Sequence, residues 1–369
     1  MNCKVVCVDK KPEDHSKLFF GEYGGFIRID KIQYKNIKKL YEASESNTWF
    51  PNEIDYKADI IGWNVLSPQA QRMFKLNIGY QTLMDSGATS LFHELAKVTS
   101  LPELQYLYNR IGIEENIHTL TYSNGLDTVF GADATGILDE VYDDEFIKGR
   151  IKNEVDGGEN FIDLCVNQGR MDDEAKKSIL VVLGAIFMLE GIKFPFSFFV
   201  TWNINKAYEN GIQGFSRALK LIAWDEMTVH TTAGSTILGI LRKDKSQGFS
   251  HLFEWFDEFI TGYVKNLVTD ECEYNRYLLQ DGEIPGYNEA IGEHVIKYHA
   301  DLRMKELKLE PIYNEEKSDI IDWYNKYRDL NSTSTALQEA DATNYQKGKL
   351  VNDLDRFDEL YRFDELNNA

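Results

Sequence analysis

Acidic side chains fall inside helix-forming stretches at four places in this chain, and their placement restricts the fold more than any other feature. Asp85 stands beside Leu83 and Met84 in a stretch that opens at Ser67-Pro68 and runs through Phe74, Leu76 and Tyr80. Glu115 and His118 are three apart, so on a helix they share one face. Tyr122 stays on that face, roughly 6 Å further along the axis from His118 at 1.5 Å rise per residue. Glu190 closes an apolar run over 179–189, and Glu226 with His230 lies in a further helical stretch. An acid on the apolar side of a helix costs too much to bury unless it is paired or bound to a metal. A carboxylate and an imidazole facing the same way can hold a metal ion, and a tyrosine one turn away can be oxidised by it.

Composition narrows the class. The chain has 369 residues, enough for one large helical domain or two smaller ones. It contains only seven prolines, which favours helix over an all-β reading. The net charge of −20 argues against a nucleic acid or an anionic membrane surface as partner, because both require a basic footprint. Cys3, Cys7, Cys165 and Cys272 form no dense disulfide framework, which suits a reducing cytoplasm. Cys3 and Cys7 lack the second pair that a thiolate metal site needs. No targeting segment is evident, and the run over 179–189 is shorter than the ~20 residues that cross a bilayer.

Along the chain, residues 1–30 read as mostly irregular, with Gly21, Gly24 and Gly25 at turns. Helices are expected over about 31–45, from Ser67-Pro68 toward Leu95, and from Leu101-Pro102 through Tyr122. Pro51 interrupts any helix near Trp49, a residue whose plainest role is core packing. Residues 132–170 read as polar helical pieces broken at Gly157-Gly158. Asp172 or Asp173 caps the helix leading to Glu190, and Pro195 should distort that helix just past Glu190. Further helices are expected over about 215–241, 248–279, 288–307 and 315–330. From residue 331 the chain turns polar and acidic and reads as a flexible tail. The tail carries Tyr345 and a repeat, Arg356-Phe357-Asp358-Glu359-Leu360 then Arg362-Phe363-Asp364-Glu365-Leu366, whose aromatics can anchor in a partner groove.

Taken together, Asp85, the Glu115–His118 pair, Glu190 and the Glu226–His230 pair match the dinuclear carboxylate plan of ferritin-like bundles. Two divalent ions need several anionic oxygens, and one imidazole per ion suits iron or manganese. The sequence resembles the small, radical-generating subunit of class I ribonucleotide reductase. The strings that carry the resemblance are Tyr80-Gln81-Thr82-Leu83-Met84-Asp85-Ser86, Glu115-Asn116-Ile117-His118-Thr119-Leu120-Thr121-Tyr122, Glu190-Gly191-Ile192-Lys193-Phe194 and Ile222-Ala223-Trp224-Asp225-Glu226. It runs from about Phe19 to about Tyr345.

The resemblance implies an all-α, ferritin-like domain over 1–330 and a tail over 331–369 that docks on a large catalytic subunit. It implies that Asp85, Glu115, His118, Glu190, Glu226 and His230 hold two metal ions, iron first, with iron–manganese or manganese–manganese pairs as alternatives, activated by dioxygen. It implies that Tyr122 is the radical tyrosine and that Phe194, Phe198 and Ile222 line its pocket. Trp49 and Asp225 match the start of the radical's route outward, with Asp225 also orienting His118, and Tyr345 matches the tail relay. A homodimer in the cytoplasm is expected.

Three departures stand out. Glu226 and His230 are spaced by four where the family has three, which a one-residue π-bulge would absorb. Trp224 stands where the family often has arginine, and Pro195 stands beside the radical pocket. The C-terminal residues differ from the familiar docking pattern, so the large subunit should differ correspondingly. The rival readings are a ferroxidase and a dinuclear oxygenase of the same fold, and a metal-free scaffold that regulates a partner.

Overall fold

The computed structural model describes residues 17–21 and 29–330. The expectations that fall on Cys3, Cys7, Tyr345 and the tail over 331–369 lie outside the described residues. Among the described residues the architecture is helical, with two isolated β-bridges, Phe19 to Thr99 and Ile284 to Tyr287. The α-helices in chain order are α1 (Lys35–Ser46), α2 (Lys57–Gly62), α3 (Pro68–Val98), α4 (Pro102–Phe130), α5 (Ala134–Asp143), α6 (Glu145–Phe161), α7 (Asp173–Met188), α8 (Phe194–Ala207), α9 (Gln213–Trp224), α10 (Thr231–Lys243), α11 (Phe253–Leu278), α12 (Glu289–Glu306) and α13 (Asp319–Arg328).

Local chemistry sets the boundaries. Ser67 caps α3 by accepting from the Ala70 amide at 3.2 Å, and Pro68 fills the first turn, where no amide donor is needed. Pro102 opens α4 in the same way, and Gly131 ends it at φ +56°, a conformation that favours glycine. Of the two candidate caps for α7, Asp172 takes the position, accepting from Ala175 at 3.1 Å. The first helix starts at Lys35, later than expected, because the Glu103 carboxylate accepts the amides of Gln33 and Tyr34 at 2.9 and 2.8 Å and holds them outside the helix. Gly157 and Gly158 do not break α6. Helix α6 packs along α7, and a Cβ at either glycine would sit 3.6 Å from Val181 or Leu91, so neighbouring elements hold the helix together there. The single helix expected over 215–241 is two helices joined by a π-turn.

Four long helical runs make the bundle: α3, α4, α7 with α8, and α9 with α10. Helix α3 lies along α4 and against α8, α4 touches α9, and α7 touches α10. The expected ferritin-like arrangement is the observed one. Helix α1 covers α4 and α10, while α11 and α12 cover the outside of α7 and α8. The run Asp173–Ala207 is longer and more apolar than the 179–189 stretch suggests, with a mean hydropathy of 2.0 over its most apolar window. That window is 94% buried inside the protein, so its apolarity serves the bundle core.

Two π-turns interrupt the bundle, at Leu189–Lys193 and Asp225–His230, and they touch each other. The first follows from Pro195, which has no amide to bond the Gly191 carbonyl. Gly191 is required there, since a Cβ would lie 2.2 Å from the Arg303 Cδ. Below this turn, Arg150 makes a bidentate pair with Glu271 at 2.8 and 2.6 Å, its guanidinium held 3.5 and 3.8 Å from the ring centres of Tyr80 and Tyr274. Lys193, inside the turn, donates to the Arg150 carbonyl at 3.0 Å.

Candidate metal centre

The six expected ligands converge. Asp85 comes from α3, Glu115 and His118 from α4, Glu190 from the first π-turn, and Glu226 and His230 from the second. All are buried. His118 Nδ1 lies 3.7 Å from Asp85, 3.6 Å from Glu115 Oε2 and 3.7 Å from Glu226. His230 Nδ1 lies 3.2 Å from Glu115 Oε1 and 3.7 Å from Glu190. Glu115 therefore presents one oxygen to each imidazole, and the imidazole centres are 6.1 Å apart. Asp85, Glu115 and His118 form one group of ligand atoms close enough to share an ion, and Glu115, Glu190 and His230 form another. The π-turn expected from the Glu226–His230 spacing is present, and it aims both side chains into the cluster.

These residues fit two metal ions. Both carboxylate oxygens of Asp85, Glu115, Glu190 and Glu226, and the Nδ1 atoms of both histidines, are buried and make no hydrogen bond. Buried polar atoms are ordinarily satisfied, so ten orphans facing one another point to ligands. Electrostatics agree. Burial and the neighbouring acids push Asp85 and Glu226 well above the usual carboxylate range and Glu190 to about 7. Burial alone would depress His118, but its hydrogen bond to Asp225 and the nearby Glu115 carboxylate raise it to about 10. Asp85, Glu190 and Glu226 thus hold protons above the ordinary carboxylate range, whereas His118 and His230, acting against burial, hold Glu115 down at about 2; two divalent cations would balance the four carboxylates.

The outer atoms of both histidines are held by carboxylates. His118 Nε2 lies 3.1 Å from Asp225 Oδ2, which also accepts the Trp49 indole N–H at 2.9 Å. His230 Nε2 lies 3.1 Å from Glu114 Oε2. Sequence reasoning missed Glu114. Its only signal was a second acid directly before Glu115, which reads as a solvated neighbour.

Tyr122 is fully buried, and its hydroxyl has no hydrogen-bond partner. Burial, then the charges of Asp85, Glu226 and Glu115, push its phenol well above its ordinary value. Phe194, Phe198 and Ile222 are all completely buried, and the rings of Phe194 and Phe198 stack at 6.1 Å.

A sequence profile of the family described as "Ribonucleotide reductase, small chain" matches residues 27–319. This chain belongs to the ribonucleotide reductase small-chain family. Among relatives, the ribonucleoside-diphosphate reductase subunit beta of Buchnera aphidicola subsp. Baizongia pistaciae is 28% identical, over 94% of this chain and 96% of its own. That of Treponema pallidum is 26% identical over 88% and 90%. Among solved structures, the ribonucleotide reductase R2 subunit from Clostridium botulinum superposes with a TM-score of 0.77 at 24% identity, covering 85% of this chain and 95% of that one. The dimanganese(II)-NrdF of Streptococcus sanguinis gives 0.65 at 19%, covering 82% and 99%. These structural likenesses establish the fold. As a ribonucleotide reductase small chain, the protein is an oxidoreductase subunit that works with a large subunit in deoxyribonucleotide synthesis.

Proposed function

We propose that this small chain holds two metal ions on Asp85, Glu115, His118, Glu190, Glu226 and His230, and uses them to make a radical on Tyr122. The observation that carries the reading is the set of ten buried, unpartnered ligand atoms divided by a shared Glu115. Iron is the metal assigned, since mixed carboxylate and imidazole donors suit it, and manganese shares those preferences. The bound ions supply, with dioxygen, the oxidising power for the site. Tyr122 gives up one electron and its phenolic proton. Its burial keeps water and reductants from the resulting neutral radical, and the apolar side chains of Phe194, Phe198 and Ile222 offer no hydrogen atom that is easily abstracted.

The outward route starts at His118, Asp225 and Trp49, whose two hydrogen bonds make a continuous line toward α1. Asp225 accepts both N–H groups and holds the His118 ring with Nδ1 toward the ligands. Tyr345, outside the described residues, is the proposed relay to a cysteine on the large subunit, and residues 331–369 are the proposed docking tail. The domain boundary near residue 330 belongs to the same proposal.

A homodimer in the cytoplasm completes the reading. The dimer is supported by α4, which exposes Tyr106, Ile113 and Leu120 seven residues apart, a stripe along one side of the helix. A ferroxidase or a dinuclear oxygenase would need the ligands but not the Trp49–Asp225–His118 line. Anaerobic loading with ferrous iron, then air, tests the proposal. About two irons per chain with a tyrosyl resonance are expected, and two irons without any organic radical would move the assignment to manganese or to an oxygenase.

A further inference from the structure

Each histidine of the cluster is held from outside by a carboxylate. Asp225, which faces His118, follows the expectation drawn from the sequence, and Glu114, which faces His230, does not. Glu114 is buried, with its Oε2 3.1 Å from His230 Nε2. Its Oε1 accepts from the Ser44 hydroxyl at 2.5 Å and from Arg110 Nη2 at 3.3 Å. Arg110 also donates to Ser44 Oγ through Nε at 2.7 Å and to Thr48 Oγ1 through Nη2 at 2.9 Å. Ser44 and Arg110 thus hold Oε1 from outside, and on its inner side the carboxylate accepts the His230 Nε2–H through Oε2.

Building on the reading of the cluster as a two-metal site, we propose that Glu114 is the positioning residue for His230, fixing its tautomer so that Nδ1 carries the free electron pair toward the second ion. A histidine that ligates a metal through one nitrogen donates its other N–H to an acceptor, and a carboxylate there fixes the ring and raises its basicity. Arg110 balances the charge of Glu114, so the arm adds no net charge to the four ligand carboxylates. The arm also ties the two ions to one piece of backbone. Ser44 and Thr48 grip the Glu114–Arg110 pair, while Trp49, next to Thr48, grips Asp225. The end of α1 and the residues just after it thus hold both histidines from outside, each through one carboxylate.

The test is a manganese(II) titration of the full chain under anaerobic conditions, with free ion counted by electron paramagnetic resonance. Wild type should take up two ions per chain with an exchange-coupled signal. Glu114→Ala should keep one ion near its wild-type affinity and weaken the other by about 10–100-fold, the usual effect of losing such a partner. At one equivalent it should show an isolated six-line spectrum. Asp225→Ala should weaken the opposite ion, and the double variant should weaken both. Ser44→Ala, which keeps the carboxylate and disturbs packing little, should weaken the same ion as Glu114→Ala by a smaller factor, and it decides the matter if Glu114→Ala does not fold. A wild-type titration by both variants, or equal weakening of both ions by Glu114→Ala, overturns the assignment. A wild type that binds no manganese or iron would instead sink the two-metal reading itself.

Discussion

Asp225 Oδ2 sits between His118 Nε2, at 3.1 Å, and the Trp49 indole nitrogen, at 2.9 Å. One oxygen thus serves the buried His118 imidazole on one side and the buried Trp49 indole on the other. Trp49→Phe removes the indole donor but not the carboxylate. It should bind metal as wild type does and form the Tyr122 radical, yet lose turnover with the large subunit. Asp225→Asn keeps the shape but not the charge, and should weaken the ion at His118 by about 10–100-fold. Metal titration and turnover measured on both variants separate the two roles, and normal turnover by Trp49→Phe would remove Trp49 from the route.

Tyr122→Phe makes a prediction about stability as well as chemistry. The Tyr122 hydroxyl is buried without a hydrogen-bond partner. Such a hydroxyl costs about 1–3 kcal/mol to desolvate, so its removal should leave the metal-free chain as stable as wild type or more so. Chemical denaturation measures this directly, and a loss of more than about 1 kcal/mol would mean that the phenol is satisfied in solution.

The pH dependence of the metal-free chain follows from the raised groups. Glu190 titrates at about 7 when folded and His118 at about 10. Both bind protons more tightly folded than unfolded, so each contributes stability at low pH that is lost as pH rises. For Glu190 the contribution is complete below its unfolded value of about 4.5 and gone above 7, and for His118 it is complete below about 6.5 and gone above 10. Asp85 and Glu226 are raised and act in the same sense as Glu190. Chelator-treated protein should therefore lose thermal stability between about pH 5 and pH 8, while the gap to metal-loaded protein widens. A gap that stays constant across that range would contradict the protonation pattern.

Glu271 neutralises a guanidinium that has no access to water. Glu271→Ala leaves Arg150 buried and unpaired between two tyrosine rings, and should cost about 3–5 kcal/mol in urea unfolding. Because Lys193 of the first π-turn bonds the Arg150 carbonyl, the variant should also lower metal affinity on the Glu190 side.

Much of the site was legible in the sequence, for a physical reason. A carboxylate among apolar residues is too costly to bury without a cation, so Asp85 and Glu190 announce themselves, and the Glu115–His118 spacing fixes a shared face. The four-residue gap from Glu226 to His230 even carried its own remedy, the π-turn. Glu114 was not legible, because whether an acid beside Glu115 meets solvent or His230 depends on how α4 sits against the second π-turn, and no local pattern encodes that. The unbroken course of α6 through Gly157 and Gly158 has the same origin, since packing against α7 outweighs the glycine preference.

The most direct test of the central claim pairs wild type with Tyr122→Phe. Each would be freed of metal, loaded with ferrous iron without oxygen, exposed to air, and examined for metal content and paramagnetic resonance. The account predicts about two irons per chain in both and a tyrosyl signal in wild type alone. A tyrosyl signal of equal size in Tyr122→Phe, or a wild-type protein that retains no metal, would contradict it.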